Sequence, residues 1–226
     1  MDHYDYTLWV SGTSLMLLAN ALSAQEKVDA FDVQLFAWLK AEQDTGAFTA
    51  ADDWQHDYLN SQQGLGMVFS ARQQQRNPAA AGRRIKPLEA LLPALLEVLP
   101  ATEHAAVQAS LKALLALPAG HPALQALRAE AVQDGTSDGK TPGAISVELR
   151  VVLPGARVFA SSLYLTTRES LAQAWLDAPL AADSLGQLRL SSYVGELHDA
   201  TFATIRSDLR ATLKDTRNWY LLQAKI

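Results

Sequence analysis

No cysteine occurs anywhere in this chain of 226 residues. Disulfides, thiolate metal sites and thiol nucleophiles are therefore excluded, while the redox compartment stays open. Basic residues are in deficit. Lys and Arg number 19 against 24 Asp and Glu, a net charge of −5. Nucleic-acid binding leaves a basic patch or stripe, so no nucleic-acid partner is expected. An unbroken membrane-length apolar run is missing from the N-terminal region. Residues 8–24 (LWVSGTSLMLLANALSA) are interrupted by Ser11, Gly12, Thr13, Ser14 and Asn20, whereas a spanning helix needs about 20 apolar residues. The residues ahead of this stretch carry Asp2 and Asp5 and no Lys or Arg, the wrong sign for a signal peptide. The expected location is the cytoplasm, or export without a cleaved signal peptide. The stretch itself reads as a helix beginning near Thr13, either buried or facing a partner.

What is present suits one folded domain. Hydrophobic residues make up 49% and charged residues 19%, ordinary for a globular protein. The expected class is α+β, with N-terminal and central helices packed on a C-terminal antiparallel sheet that has its own C-terminal helix. Within the single domain 1–226, residues 1–66 read as helical and 67–84 as a strand and loop. Residues 85–133 read as a helical block, and 144–226 as sheet plus helix.

Local signals support that division. Ser23 and Glu26 have capping-box spacing, and Val28, Phe31, Leu35, Trp38 and Leu39 recur at helical intervals behind them. Gly46 is the expected stop. A second helix from Thr49 to about Gln62 places Asp52 and Asp53 in its first turn, where the helix dipole favours acids. A stripe from Leu88 to Leu99 predicts a helix in which Pro93 makes a kink or a break. Residues 102–117 and a short segment after Pro118 complete the block.

At Ile145 the hydrophobic period changes from 3.6 to 2. Ile145, Val147, Leu149, Val151 and Leu153 alternate with Ser146, Glu148, Arg150 and Val152, which predicts a strand with one buried and one wet face. Pro154-Gly155 supplies the centre of a type II turn, and residues 158–167 return as the second strand. Residues 167–180 are ambiguous between helix and third strand. Residues 187–194 alternate again, 199–216 form a helix expected to cover the Ile145/Val147/Leu149/Val151 face, and 219–226 end as a strand.

Candidate chemistry is sparse. GTSDGKT at residues 135–141 resembles a phosphate-binding P-loop but has three residues where four are needed, with the wrong flanking elements. Asp52, Asp53, His56 and Asp57 share one predicted helix and could offer metal ligands, yet no second His cluster completes a site. The other histidines are isolated, and no Gly-x-Ser-x-Gly elbow exists. No catalytic residue, cofactor or metal is therefore assigned. Leu8, Trp9, Leu15, Leu17, Leu18, Leu22 and Trp175 are the expected interaction surface.

Phe31, Asp32, Gln34, Leu35, Phe36 and Ala37, followed by Trp54, Tyr58 and Gly64, resemble the opening of a poorly characterised bacterial and fungal family. Its pattern runs Phe-Asp-x-Gln-Leu-Phe-Ala, then Trp and Tyr four apart, then Gly. The resemblance implies the order helices, β-rich segment, terminal helix and strand. It departs at SLAQAWL, where the family has an aromatic-rich strand, and it implies no activity.

Three functional readings follow. The first is a non-enzymatic protein-interaction or assembly subunit, with a protein partner or self-association through the apolar N-terminal segment. The second is a toxin or virulence-type protein acting at membranes through the amphipathic hairpin at residues 145–167. The third is a hydrolase whose residues meet only in three dimensions.

Overall fold

The computed structural model describes residues 6–76, 84–136 and 140–226. The chain enters as a hairpin of β1 (Tyr6–Ser11) and β2 (Ser14–Ala19), followed by helices α1 (Ala24–Asp44) and α2 (Ala51–Gly64). After β3 (Met67–Arg76) and the short β4 (Arg84–Ile85) come α3 (Pro87–Val98), α4 (His104–Leu115) and α5 (Pro122–Ala131). The short β5 (Val132–Gln133) leads to the long strands β6 (Gly143–Leu153) and β7 (Arg157–Thr167). The chain continues through β8 (Leu180–Ala181), β9 (Leu185–Leu197), α6 (Asp199–Ala203), α7 (Arg206–Leu213), α8 (Arg217–Tyr220) and β10 (Leu221–Ala224).

The fold class is α+β. The main sheet runs β10-β1-β2-β6-β7-β9-β3, with β5 on β6. Every neighbour pair in it is antiparallel except β2 with β6. Helices lie on both faces. The pair α1–α2 covers one, where Gln34 and Gln55 bond to sheet serines. The group α3–α5 covers the other, where Ser161 on β7 donates to the Leu91 carbonyl of α3 at 3.0 Å.

The β6–β7 hairpin forms as its pattern predicts. It pairs from Gly143↔Thr167 to Leu153↔Arg157. Gly155 adopts φ +80, which a type II turn requires at its second central position. Ala156 follows in the left-handed region at φ +53. The tip is tied to α1: Glu26 completes the capping box with Ser23 and also accepts the Gly155 N–H at 2.8 Å. Burial alone would raise the Glu26 carboxyl, but these donors hold it below its ordinary value.

Three expectations are corrected. The N-terminal segment is a β-hairpin, not a helix from Thr13. Gly12 and Thr13 form a two-residue connection between Ser11↔Ser14, with Gly12 at φ +53 in the first central position, as a II′ hairpin turn asks. Its strand β2 sits against β6 in mid-sheet and is buried throughout. Strands covered on both faces read as unbroken apolar runs, which SLMLLA does. Secondly, the 145–151 apolar face lies under α3 and α5, while α7 packs against α1. Buried Asp29 and Asp32 of α1 hold Arg206, Arg210 and Arg217 of that C-terminal region.

Thirdly, the face of β6 expected to be wet is dry, because α2 lies over it: Glu148 and Arg150 are both buried. Of the kink or break expected at Pro93, the break does not occur: α3 runs from Pro87 to Val98 with Pro93 inside it. Between Thr167 at the end of β7 and Leu180 at the start of β8, the ambiguous stretch is neither helix nor strand. It is an irregular crossing whose Leu171, Trp175 and Leu176 are buried anchors. Of the expected strand and loop at 67–84, residues 67–76 form β3 and Arg84 begins β4, while 77–83 lie outside the described residues, as does the centre of the GTSDGKT segment.

Gly12 carries a close approach. A Cβ there would lie 2.5 Å from Cδ2 of the Trp38 ring. Gly12→Ala combines left-handed backbone strain with overpacking and is expected to cost about 2–4 kcal/mol. Urea denaturation checks this, and an unchanged midpoint would refute it.

Candidate functional site

The most concentrated chemistry in the molecule is a buried polar network between α2 and the sheet. It begins with strand geometry. Glu148 and Arg150 stand two residues apart on β6, so their side chains share a face. Arg150 Nε donates to Glu148 Oε1 at 2.9 Å. On the neighbouring strands Arg150 lies opposite Ala160, which lies opposite Tyr193. Ala160 is small, so the Tyr193 ring reaches over it and donates its hydroxyl to Glu148 Oε2 at 2.8 Å. From above, Tyr58 and Gln62 project one helical turn apart on α2. Tyr58 donates to Glu148 Oε1 at 3.0 Å, and Arg150 Nη2 donates to Tyr58 Oη at 2.8 Å and Gln62 Oε1 at 2.9 Å. Arg150 also donates to Tyr193.

The network extends to the N-terminal hairpin. Ser14 Oγ donates to Glu148 Oε1 at 3.0 Å, and Gln34 Nε2 of α1 donates to Ser14 Oγ at 2.9 Å. Ser11 and Gln34 close the chain. Burial would lower the Arg150 pKa, but the Glu148 carboxylate outweighs it and holds the guanidinium charged more firmly than usual. Burial pushes the Tyr58 and Tyr193 phenols above their ordinary value, and the Arg150 charge offsets only part of that.

Beside the network lies an open cleft of about 280 Å³, lined by Asp52, His56, Arg72, Gln74, Ser191 and Tyr193 among others. Asp52 of this lining is held by Arg189 at 2.6 Å. The cleft brings a His, an Asp and a Ser together, as the hydrolase reading requires. Their geometry is not that of a catalytic set. The Ser191 hydroxyl is engaged by Gln55 and by Ser162, and no hydrogen bond joins it to His56, which stands exposed at the rim. A nucleophile needs its base within hydrogen-bond reach. Asp57 accepts from Thr45 instead of turning toward His56. Among the described residues no three His, Asp or Glu side chains are grouped to hold a metal. His198 is bonded to Thr201 at 2.9 Å on the surface.

The expected interaction surface lies inside the molecule. Leu8, Leu15, Leu17, Leu18, Leu22 and Trp175 are all buried within their own chain, and Trp9 is half-buried with its ring 5.0 Å from that of Phe31. A partner cannot reach the buried ones without opening the core that holds them. The exposed tryptophan is Trp219, at 78%. Sequence reasoning missed the Glu148/Arg150 centre because its alternation matched a solvated face. The available signal was the Trp54/Tyr58/Gln62 spacing on α2, which marks a helix face of mixed polarity made for burial.

No family model matches the chain, and neither does any curated protein. A solved structure described as a delta-endotoxin aligns over 84% of this chain and 85% of its own, at 10% identity and a TM-score of 0.49. A likeness at that level carries no argument about this chain.

Two outcomes follow from the network. Glu148→Leu leaves a buried guanidinium without its counter-charge and unable to shed its proton. It is expected to cost about 3–5 kcal/mol. Arg150→Met leaves a carboxylate that keeps its donors from Ser14, Tyr58 and Tyr193, so it should cost less. Paired denaturation curves check the order, and equal losses would refute it. In alkaline titration Tyr58 and Tyr193 should stay un-ionised above about pH 10, where free phenols titrate. The unfolded chain then sheds protons that the fold retains, so stability is full below that pH and falls above it. Ultraviolet difference spectra against unfolding midpoints test this; early titration of all tyrosines would contradict it.

Proposed function

We propose that this chain acts at membranes, as a toxin-type protein whose long strands β6, β7 and β9 are the elements that enter the bilayer. The carrying observation is a mismatch between pattern and setting. Sheets covered by helices on both faces have strands that are apolar on both sides. These three strands are two-faced although both faces are covered. One side carries Ile145, Val147, Leu149, Val151, Phe159, Leu163, Leu165 and Leu190, with Ser161 and Ser192 as interruptions. The other carries Ser146, Glu148, Arg150, Ser162, Tyr164, Arg189, Ser191 and Tyr193, and turns apolar toward Val152 and Val158.

Alternation of this kind belongs to strands with lipid on one side and water on the other. Membrane-spanning strands take about 9–11 residues; these have 11, 11 and 13. They are consecutive neighbours in the sheet and antiparallel. No helix among the described residues is long and apolar enough to cross a membrane, so entry would fall to strands. On this reading α1–α2 shelter the polar face and α3–α5 the apolar face until a lipid surface replaces them.

A second reading, a protein-interaction or assembly subunit, loses its N-terminal docking segment to the core. What supports it is the exposed outer edge of β3.

Dye release from liposomes tests the membrane reading. Micromolar protein is expected to empty vesicles of mixed neutral and anionic lipid. Because the chain has no cysteine, a Gln55→Cys/Ser162→Cys pair can be bridged by a short bismaleimide, tying α2 to β7. Bridging should abolish release. Intact vesicles under the unbridged protein would sink the reading.

A further inference from the structure

The charged residues of β6, β7 and β9 are Glu148, Arg150, Arg157, Arg189 and Glu196, and they differ in where their partners stand. Arg157 and Glu196 face each other in register at the strand ends, on the apolar side, so their charges offset. The polar side carries the other three. Register stacks that side in levels. Ser146, Tyr164 and Arg189 form one, Glu148, Ser162 and Ser191 the next, and Arg150, Ala160 and Tyr193 the third.

Glu148 and Arg150 belong to one strand and bond each other at 2.9 Å, with Tyr193 of β9 donating to Glu148. They are a neutral pair that stays with the sheet whatever α2 does. Arg189 is placed differently. Its counter-charge is Asp52, 2.6 Å away in the first turn of α2. Its other contacts belong to the strands: Nη2 donates to Gln187 Oε1 at 3.2 Å, and the guanidinium lies 5.5 Å from the centre of the Tyr164 ring. Lifting α2 therefore takes the carboxylate away and leaves the cation on the polar side. A guanidinium cannot shed its proton in a protein. The uncovered face thus carries one uncompensated positive charge per chain.

We infer that the pathway this protein opens in a membrane conducts anions in preference to cations, and that Arg189 sets the preference. This rests on the membrane reading, in which the polar side of β6, β7 and β9 faces the lumen. Rings of Arg or Lys select anions, as rings of Asp or Glu select cations. Each copy that contributes its three strands adds one Arg189 at the same level. A unit charge about 5 Å from an ion in water changes that ion's occupancy roughly fourfold, in favour of chloride and against potassium. Should β3 stay paired to β9, it brings nothing to offset this, since MVFSARQQQR has no Asp or Glu. In the closed fold the Asp52 contact masks the charge that the open one displays.

Reversal potentials in planar bilayers under a potassium chloride gradient test the inference. The lipid is the mixture used for dye release, whose own negative charge favours cations and so works against the expected result. The unmodified protein should pass chloride over potassium by roughly fourfold. Arg189→Gln should bring the ratio close to one, and Arg189→Glu should invert it. Arg189→Lys should keep the chloride preference, which separates a charge in the lumen from a merely structural role of this side chain. Asp52→Asn should leave the preference as it is, because the carboxylate has departed with α2; a rise in chloride preference would place Asp52 in the pathway and overturn the account. A preference for potassium, or indifference to position 189, overturns it as well and leaves the membrane reading standing. Absence of any conductance removes both.

Discussion

The Glu148–Arg150 pair is the interaction on which the layers depend. It stands on the central strand and meets α2 through Tyr58 and Gln62, β9 through Tyr193, and β2 and α1 through Ser14 and Gln34. Two ions out of water are expensive, and their attraction repays the cost only when the surrounding bonds are also made. That condition couples the elements. α2 cannot lift from the sheet without stripping Tyr58 and Gln62 from a charge that has no water to replace them. A hydrophobic contact of equal area would hold the layer as firmly but would tolerate sliding; the hydrogen bonds specify one position.

The two helical layers are thus held by different physics. The group α3–α5 meets an apolar sheet face through leucines such as Leu91, Leu95, Leu114 and Leu127, where the driving force is non-directional burial. The pair α1–α2 meets a polar face, and its contacts are directional and charge-assisted. The same α1 helix carries Asp29 and Asp32 toward Arg206, Arg210 and Arg217. Burial raises the Asp32 carboxyl even beside Arg217 and Arg210. One side of the sheet is therefore sensitive to charge and water, and the other to apolar area. On the proposed membrane reading, lipid on the apolar side and a wet lumen on the polar side would replace the two layers.

Legibility in the sequence followed the range of the interactions. The capping box at Ser23, the stop at Gly46, the switch to period 2 at Ile145 and the turn at Pro154-Gly155 were all readable, because each depends on neighbours within a few residues. The N-terminal hairpin was misread for a local reason. Leu15, Met16, Leu17 and Leu18 form an apolar run with no period, and such a run suits a central strand as well as a buried helix. Gly12 between two six-residue runs was the clue that separates them.

The site was not legible, for a different reason. Glu148 and Arg150 alternate with apolar neighbours just as residues on a solvated face would, and alternation reports difference between faces, not which face is wet. By itself the sequence determined the amphipathic character of the long strands, the absence of thiol chemistry and the α+β class, since these rest on composition and short-range pattern. Only the tertiary structure decided that both sheet faces are covered, that the N-terminal segment is core, and that β3 ends the sheet among the described residues. Those outcomes depend on which distant elements pack together. Tyr58, Tyr193 and Glu148 lie up to 135 positions apart along the chain, counted from 58 to 193, and nothing in their local surroundings records that they meet.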